Sequence, residues 1–222
     1  MQMKNRKVPI NAIRRLAVYY QAIEKLIEKG CEYTSSAQLA QMLDFTPSLI
    51  RQDLNYFGAF GYQGYGYRLT ELRDYISQIL DISEQKRMIL VGTGALGLAL
   101  SELVEAEQYG FSLTDVFGAS ARPYGLSQKA NYHSADSLEE FLSTTHVDTA
   151  AVCTDDARAR EAVDMLVRKG VKYIWNLTNT HVQNDVAGVF IDNLNLFSAL
   201  SVFSYNMNSS AALNHIGQRA LA

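Results

Sequence analysis

The turn Val91-Gly92-Thr93-Gly94-Ala95-Leu96-Gly97 constrains this chain more than any other stretch. An apolar run, Met88-Ile89-Leu90-Val91, enters it, and a segment with helical periodicity, Leu96 to Val104, leaves it. The pattern G-x-G-x-x-G between a strand and a helix is the one a dinucleotide-binding crossover requires. Gly92 permits the sharp turn, Gly94 lets a pyrophosphate approach the backbone, and Gly97 lets the helix pack close to its strand. The helix N-terminus then offers unpaired N–H groups and a partial positive charge to phosphates. Yet this turn begins only at Val91, so a separate unit stands in front of it.

The rest of the C-terminal part repeats the alternation. Strands are predicted at Phe111–Phe117, Val147–Val152, Val171–Trp175 and Val186–Ile191. Helices are predicted at Leu98–Glu107, Ser137–Ser143 and Ala157–Lys169, the last closed by Gly170. Such alternation builds a parallel sheet with right-handed crossovers, and ligands sit at its carboxyl strand ends. That gathers Gly92, Thr93, Gly94, Ala95, Leu96, Gly97, Gly118, Ala119, Ser120, Arg122, Thr154 and Asn176 around one crevice as the candidate cofactor-binding set. An NAD-type site places an acid about 20 residues past the glycines, on the ribose 2′-OH. Here that place is Gly118, in Phe117-Gly118-Ala119-Ser120-Ala121-Arg122. With no carboxylate, a hydroxyl and a cation, it suits a 2′-phosphate, so NADP(H) is expected to bind, with NAD(H) as the alternative. The segment Leu194–Phe203 is too apolar for an exposed helix and is expected to bury against its own core or a second chain. The tail from Asn206 is polar.

The N-terminal part differs in charge. Residues 1–80 hold 10 Lys and Arg against 7 Asp and Glu, whereas residues 81–222 hold 10 against 16. This asymmetry suggests a mildly basic N-terminal module on an acidic partner domain, although a solvated basic tail explains the first seven residues equally well. After Val8-Pro9, the residues Ile10, Ile13, Leu16, Ala17, Tyr20, Ile23, Leu26 and Ile27 fall at helical spacing, ending at Gly30. Ser35-Ser36 caps a second helix to Leu43, and Thr46-Pro47 opens a third, Ser48 to Phe57, stopped by Gly58. Helix, short turn, helix, with Leu39, Ala40, Leu43, Ile50 and Leu54 as the seam, is the helix-turn-helix pattern. The second of these helices exposes Ser48, Arg51, Gln52, Asn55 and Tyr56, residue types suited to base edges and phosphates. Its one cation is Arg51, with Asp53 beside it. The glycine–aromatic stretch from Gly58 to Arg68 reads as a wing with its tip at Gly61–Gly64, and Leu69–Ile82 as a closing helix.

Other chemistries find little support. The 2 cysteines, Cys31 and Cys153, and the 4 histidines show no metal or disulfide spacing. No apolar run approaches the length of a membrane span, and the basic N-terminus leads into no signal-type segment, so a cytoplasmic protein is expected. No Tyr-x-x-x-Lys or other catalytic constellation follows the strands, and Cys153 at a strand end reads as core. An oxidoreductase is thus the alternative rather than the leading reading, as is a DNA-binding dimer with no nucleotide response.

With these pieces assembled, the chain resembles the Rex family, bacterial redox-sensing transcriptional repressors, over about residues 8–205. The resemblance is carried by Arg15-Leu16 with Tyr19-Tyr20, by Ile50-Arg51-Gln52-Asp53-Leu54-Asn55-Tyr56-Phe57-Gly58 with Gly61, by Gly64-Tyr65-Gly66-Tyr67, and by the glycine turn. It implies an α/β chain with an N-terminal winged helix-turn-helix domain (residues 1–82), a Rossmann-like parallel-sheet domain (83–192), and a C-terminal helix and tail (193–222) that swaps across a homodimer. It further implies a repressor on a palindromic operator, bound in the oxidised state and released when the reduced dinucleotide binds. By position, Arg51, Gln52 and Tyr56 would face DNA, with Lys7 and Arg14 on the backbone and the wing tip, including Gln63, in the minor groove. Arg15 and Asp192 would couple the domains, although the tyrosine that accompanies this pair in the family is Leu103 here. Gln52, Tyr62 and Gln63 replace family cations, which predicts a shallower salt dependence of DNA binding.

Overall fold

The computed structural model describes residues 8–58, 61, 66–105, 109–119 and 121–219. They fall in two compact units, Met1–Glu84 and Gln85–Ala222.

In the first unit, α1 (Ile10–Glu28) buries Ala12, Leu16, Tyr19, Ala22 and Ile23. The buried stripe is rotated from the expected one: Ile10 is 64 % exposed, and Tyr19 rather than Tyr20 is fully enclosed. The reason is polar. The Tyr19 hydroxyl donates to Asp53, which apolar spacing does not reveal. A two-residue strand, β1 (Tyr33–Thr34), follows. Next comes α2 (Ser36–Leu43), where the Ser35 hydroxyl accepts from the Gln38 N–H at 3.1 Å and the Gln38 side chain accepts from the Ser35 N–H at 2.9 Å. This reciprocal cap fixes the start of the helix. Asp44, in the left-handed region, closes it. α3 (Pro47–Asn55) starts from Thr46, whose hydroxyl accepts from the Leu49 N–H, with Pro47 in its first turn. β2 (Tyr67–Arg68) then pairs antiparallel with β1. Gly66, with φ +83°, makes this return possible: a β-carbon there would lie 2.3 Å from the Thr34 carbonyl oxygen. α4 (Leu69–Leu80) closes a core of Leu16, Tyr19, Ile23, Leu39, Ile50, Leu54, Leu69, Leu72 and Ile76. Two helices, α1 and α4, around the α2–α3 helix-turn-helix, with a strand returning beside it, make a winged helix.

The second unit is a six-stranded sheet. Its elements are β3 (Lys86–Val91), α5 (Ala95–Glu105), β4 (Phe111–Gly118), β5 (Asn131–Ser134), α6 (Leu138–Thr144), β6 (Thr149–Val152), α7 (Asp156–Arg168), β7 (Tyr173–Asn176), β8 (Phe190–Asn193) and α8 (Leu196–Arg219). The order is β5-β4-β3-β6-β7-β8, and every pair is parallel. The chain runs outward from β3 through β4 to β5, then returns to the other side of β3. That reversal between β3 and β6 opens a crevice at the carboxyl ends of both strands. Alternate residues of β3 feed opposite layers. Ile89 and Val91 pack with Phe117, Leu138, Val163 and Leu166, whereas Met88 and Leu90 pack with Leu100, Val104 and Leu126.

Three differences from the sequence expectation have local causes. β5 is short and half polar, and what anchors it is chemistry. Asp115 on β4 accepts from Asn131 and pairs with His133 at 2.9 Å. Burial works to raise the Asp115 pKa, but the hydrogen bonds from His133, Thr114 and Asn131 hold it below the ordinary carboxylate range. β8 starts at Phe190 rather than Val186 because Val186–Val189 closes a turn, the Val189 N–H donating to the Val186 carbonyl. And α8 continues to Arg219, well past the apolar segment that predicts it.

Candidate functional site

A cleft of about 1030 Å³ lies at the carboxyl ends of β3, β4, β6 and β7. Its floor is the glycine turn. Gly92 has φ +105°, and a β-carbon on it would lie 2.4 Å from the Cys153 carbonyl carbon, so the crossing of β3 against β6 excludes any larger residue. Gly97 is as tight, 2.3 Å from the Gly92 carbonyl oxygen, which lets α5 start directly on the turn. Gly94 is the opposite case: a β-carbon there would meet nothing nearer than 3.9 Å. It borders open cleft. The first-turn N–H groups of α5 lack intrahelical acceptors and are free to receive an anion. At the end of β6, the Thr154 hydroxyl oxygen is buried, lines the cleft and has no partner. A buried polar group left so is a site waiting for a hydrogen bond from a bound group. Beside it the Cys153 thiol is pushed up to about 12 by burial, so this sulfur is packing rather than a nucleophile.

Of the predicted cofactor set, Gly92, Thr93, Gly94, Ala95, Leu96, Gly118, Ala119 and Thr154 line this cleft. Gly97 supports it from beneath. Two others are engaged elsewhere. Asn176 is not among the lining residues: its amide donates to the Thr180 carbonyl and to Asn193, and its oxygen accepts from Thr178, all within 3.2 Å. It builds the strand end and orients Thr178, which does line the cleft. Arg122 is not among the lining residues either. Its guanidinium donates to the carbonyls of Ser127 and Ala130, tying down the β4–β5 loop instead of standing ready for a phosphate. Ser120 lies outside the described residues. The sequence reading missed the cleft's acidic side: Asp136 and Glu139 after β5, and Glu161 on α7, join Asp155 and Asp156. The Asp155-Asp156 turn was visible as a strand end, but β5 was not, and Asp136 and Glu139 went unseen with it.

In the winged helix, Ser48, Arg51, Gln52 and Asn55 are exposed on one face of α3, and Tyr56 is half-buried at its end. Arg51 reaches back to the Ser36 hydroxyl at 2.9 Å, linking the two helices of the motif. Arg14 is exposed on α1. Lys7, and Tyr62, Gln63 and Gly64 of the wing tip, lie outside the described residues. Asp53 is not a surface acid beside Arg51. It is 1 % exposed, and it accepts from Arg15 at 2.6 and 2.7 Å and from the Tyr19 hydroxyl at 2.7 Å. The hydrogen bond to Asp53 also raises the Arg15 pKa above its ordinary value, and burial with the same bond raises that of Tyr19. Arg15 thus has its partner within its own unit, while Asp192 is exposed on β8, opposite Trp175 in register. Among the described residues no group of three or more His, Cys, Asp or Glu is placed to hold a metal, and no helix is long and apolar enough to cross a membrane.

A winged helix-turn-helix followed along the chain by a doubly wound sheet with a dinucleotide-type turn defines a class: transcription regulators that carry a nucleotide-type domain. Comparisons agree for both units. Residues 7–55 match the family model described as a putative DNA-binding protein N-terminus, and residues 83–180 match a CoA binding domain model. The redox-sensing transcriptional repressor Rex of Caldanaerobacter subterraneus subsp. tengcongensis is 35% identical over 204 residues, 90% of each chain. That of Clostridium tetani is 35% identical over 206 residues, 92% of this chain and 97% of the other. Among solved structures, RSP in complex with β-NAD+ and operator DNA superposes with a TM-score of 0.81 at 31% identity, covering 96% of this chain and 98% of that one. RSP in complex with β-NADH gives 0.78 at 29% identity, covering 96% and 100%. The chain belongs to the Rex family of redox-sensing transcriptional repressors. The relatives it matches are named as transcriptional repressors.

Proposed function

We propose that this chain is a homodimeric, cytoplasmic repressor that binds a palindromic operator and lets it go when a reduced nicotinamide dinucleotide occupies the cleft. The observation that carries the reading is the pairing, in one chain, of an exposed recognition face on α3 with an open glycine-turn cleft holding an unpartnered Thr154 hydroxyl. The residues fit a dinucleotide: Gly94 and the start of α5 suit the pyrophosphate, and Thr154 and Thr178 offer hydrogen bonds nearby. RSP, a Rex-family repressor, has been seen with NAD+ on operator DNA and with NADH. Ser48, Arg51, Gln52, Asn55 and Tyr56 read the DNA, and Lys7, Arg14 and Gln63 hold its backbone or minor groove. Arg15 and Asp192 are kept as a proposed coupling pair, with Arg15 held by Asp53 within its own unit.

The two redox states of the ligand differ by one positive charge on the nicotinamide ring. Sensing therefore requires a different affinity of each state for the DNA-bound and the free conformations. A gel shift with operator DNA and the full chain tests this. DNA should stay bound with the oxidised dinucleotide and be released by the reduced one. Equal binding in both states overturns the switch.

A further inference from the structure

The cleft lacks the strand-two acid, yet it is far from cation-rich. We infer that Asp136, at the end of β5, takes over the reading of the ribose 2′-hydroxyl and makes the chain select NAD(H) against NADP(H). This rests on the dinucleotide reading of the cleft.

Three observations converge. First, the end of β4 carries no acid of its own, and its space is taken up by neighbouring side chains. A β-carbon on Gly118 would lie 2.4 Å from the Thr93 hydroxyl oxygen and 2.8 Å from that of Tyr132, so both would have to move. Second, the cation that a 2′-phosphate needs is occupied, since Arg122 is bonded to the carbonyls of Ser127 and Ala130. The one Lys or Arg among the described residues lining the cleft, Arg158, lies across it on α7 and pairs with Asp155 at 3.7 Å. Third, the register of the sheet sets Ser134 beside Gly118, so Asp136 stands just past the end of the strand where the acid is missing.

Elimination singles out Asp136 among the five lining carboxylates. Glu139 pairs with Lys169 at 3.2 Å, Asp155 caps α7, and Asp156 accepts from the Asn179 N–H at 2.8 Å. Asp136 and Glu161 have no hydrogen-bond or ion-pair partner among the described residues, and Glu161 sits on α7, away from β4. In a doubly wound sheet the adenosine ribose lies over the end of the second strand, here β4. Asp136 is the uncommitted acid on that side. A carboxylate there accepts from a 2′-hydroxyl and repels a 2′-phosphate, so one residue both rewards NAD(H) and penalises NADP(H). The strand-two sequence alone favours the opposite preference, because β5 and its acid are not legible in it.

The test is titration of the full-length chain with NADH and NADPH, followed by nicotinamide fluorescence, for wild type, Asp136→Asn, Asp136→Ser and, as a control on α7 outside the cleft lining, Asp164→Asn. Wild type should bind NADH at least about tenfold more tightly than NADPH, the scale of a hydrogen bond to a charged group. Both Asp136 variants should bring the two affinities within about threefold of one another, and Asp164→Asn should leave the wild-type ratio in place. A ratio unmoved in both Asp136 variants, or a wild type that prefers NADPH, overturns the assignment while the dinucleotide reading stands. A wild type that binds neither nucleotide overturns both. Asp136 is exposed, so both substitutions are compatible with the fold.

Discussion

The glycines of one turn do two separable jobs. At Gly92 the backbone is left-handed and the Cys153 carbonyl carbon would be 2.4 Å from an added β-carbon, whereas at Gly94 the nearest atom is 3.9 Å away. Gly92→Ala must therefore distort the β3–β6 crossing. Gly94→Ala intrudes only on the space a ligand would use. The expected outcome is a split: Gly94→Ala retains the wild-type melting temperature but loses at least about tenfold in dinucleotide affinity, while Gly92→Ala loses both. Thermal melts with and without NADH check it, and a Gly94→Ala chain that still gains wild-type stability from NADH would show that the pyrophosphate lies elsewhere. These glycine roles were legible because they depend on sequence spacing. The direction of Arg122 was not, because a guanidinium goes where carbonyls converge, and Ser127 and Ala130 are brought to it by a loop no periodicity describes. Asn176 shows the same limit: the right strand end was legible, but its amide is consumed by Asn193, seventeen residues on.

The recognition helix is held by a polar clamp rather than by apolar packing alone. Ile50 and Leu54 seat α3 in the core, and Asp53, between the exposed Gln52 and Asn55, is locked by Arg15 and Tyr19 of α1. Asp53→Ala leaves a guanidinium and a hydroxyl without their acceptor. It should destabilise the first unit by about 3 kcal/mol, the low end for a broken buried pair because Arg15 is partly exposed. Arg51→Ala removes one exposed hydrogen bond to Ser36 and should cost no more than about 1 kcal/mol of stability while weakening operator binding by about 1–3 kcal/mol. Urea denaturation and operator titration on the two variants separate the clamp from the contact; equal stability of Asp53→Ala and wild type would remove Asp53 from the scaffold. α2 and α3 were legible because their caps are local, Ser35 with Gln38 and Thr46 with Leu49. β1 and β5 were not. Each is short, and each exists only through a partner distant in sequence, Tyr67–Arg68 for one and Asp115–Gly118 for the other.

At the scale of the whole molecule, α8 cannot be the end state of a lone chain. Phe197, Leu200 and Phe203 are 64–69% exposed and recur at three-residue spacing, with Leu196 and Met207 extending the same stripe. An apolar stripe of this size in water demands a cover, and the covering body that suits a symmetric DNA site is a second copy of the chain. Dimerisation then matters to DNA binding as well as to burial. On the proposed palindrome two α3 helices would bind as a linked pair, the second at high effective concentration, whereas a monomer would have only one half-site interaction. With Arg51 as the one cation of α3 this linkage would weigh more, since each half-site alone would hold the phosphates weakly. The double variant Leu200→Asp with Phe203→Asp should therefore sediment as a monomer at concentrations where wild type is a dimer. Its affinity for a full palindrome should fall to about that for an isolated half-site. Both measurements are needed. A monomer that still binds the full palindrome as wild type does would show that the operator is read by one winged helix, and a variant that stays dimeric would place the interface away from this stripe.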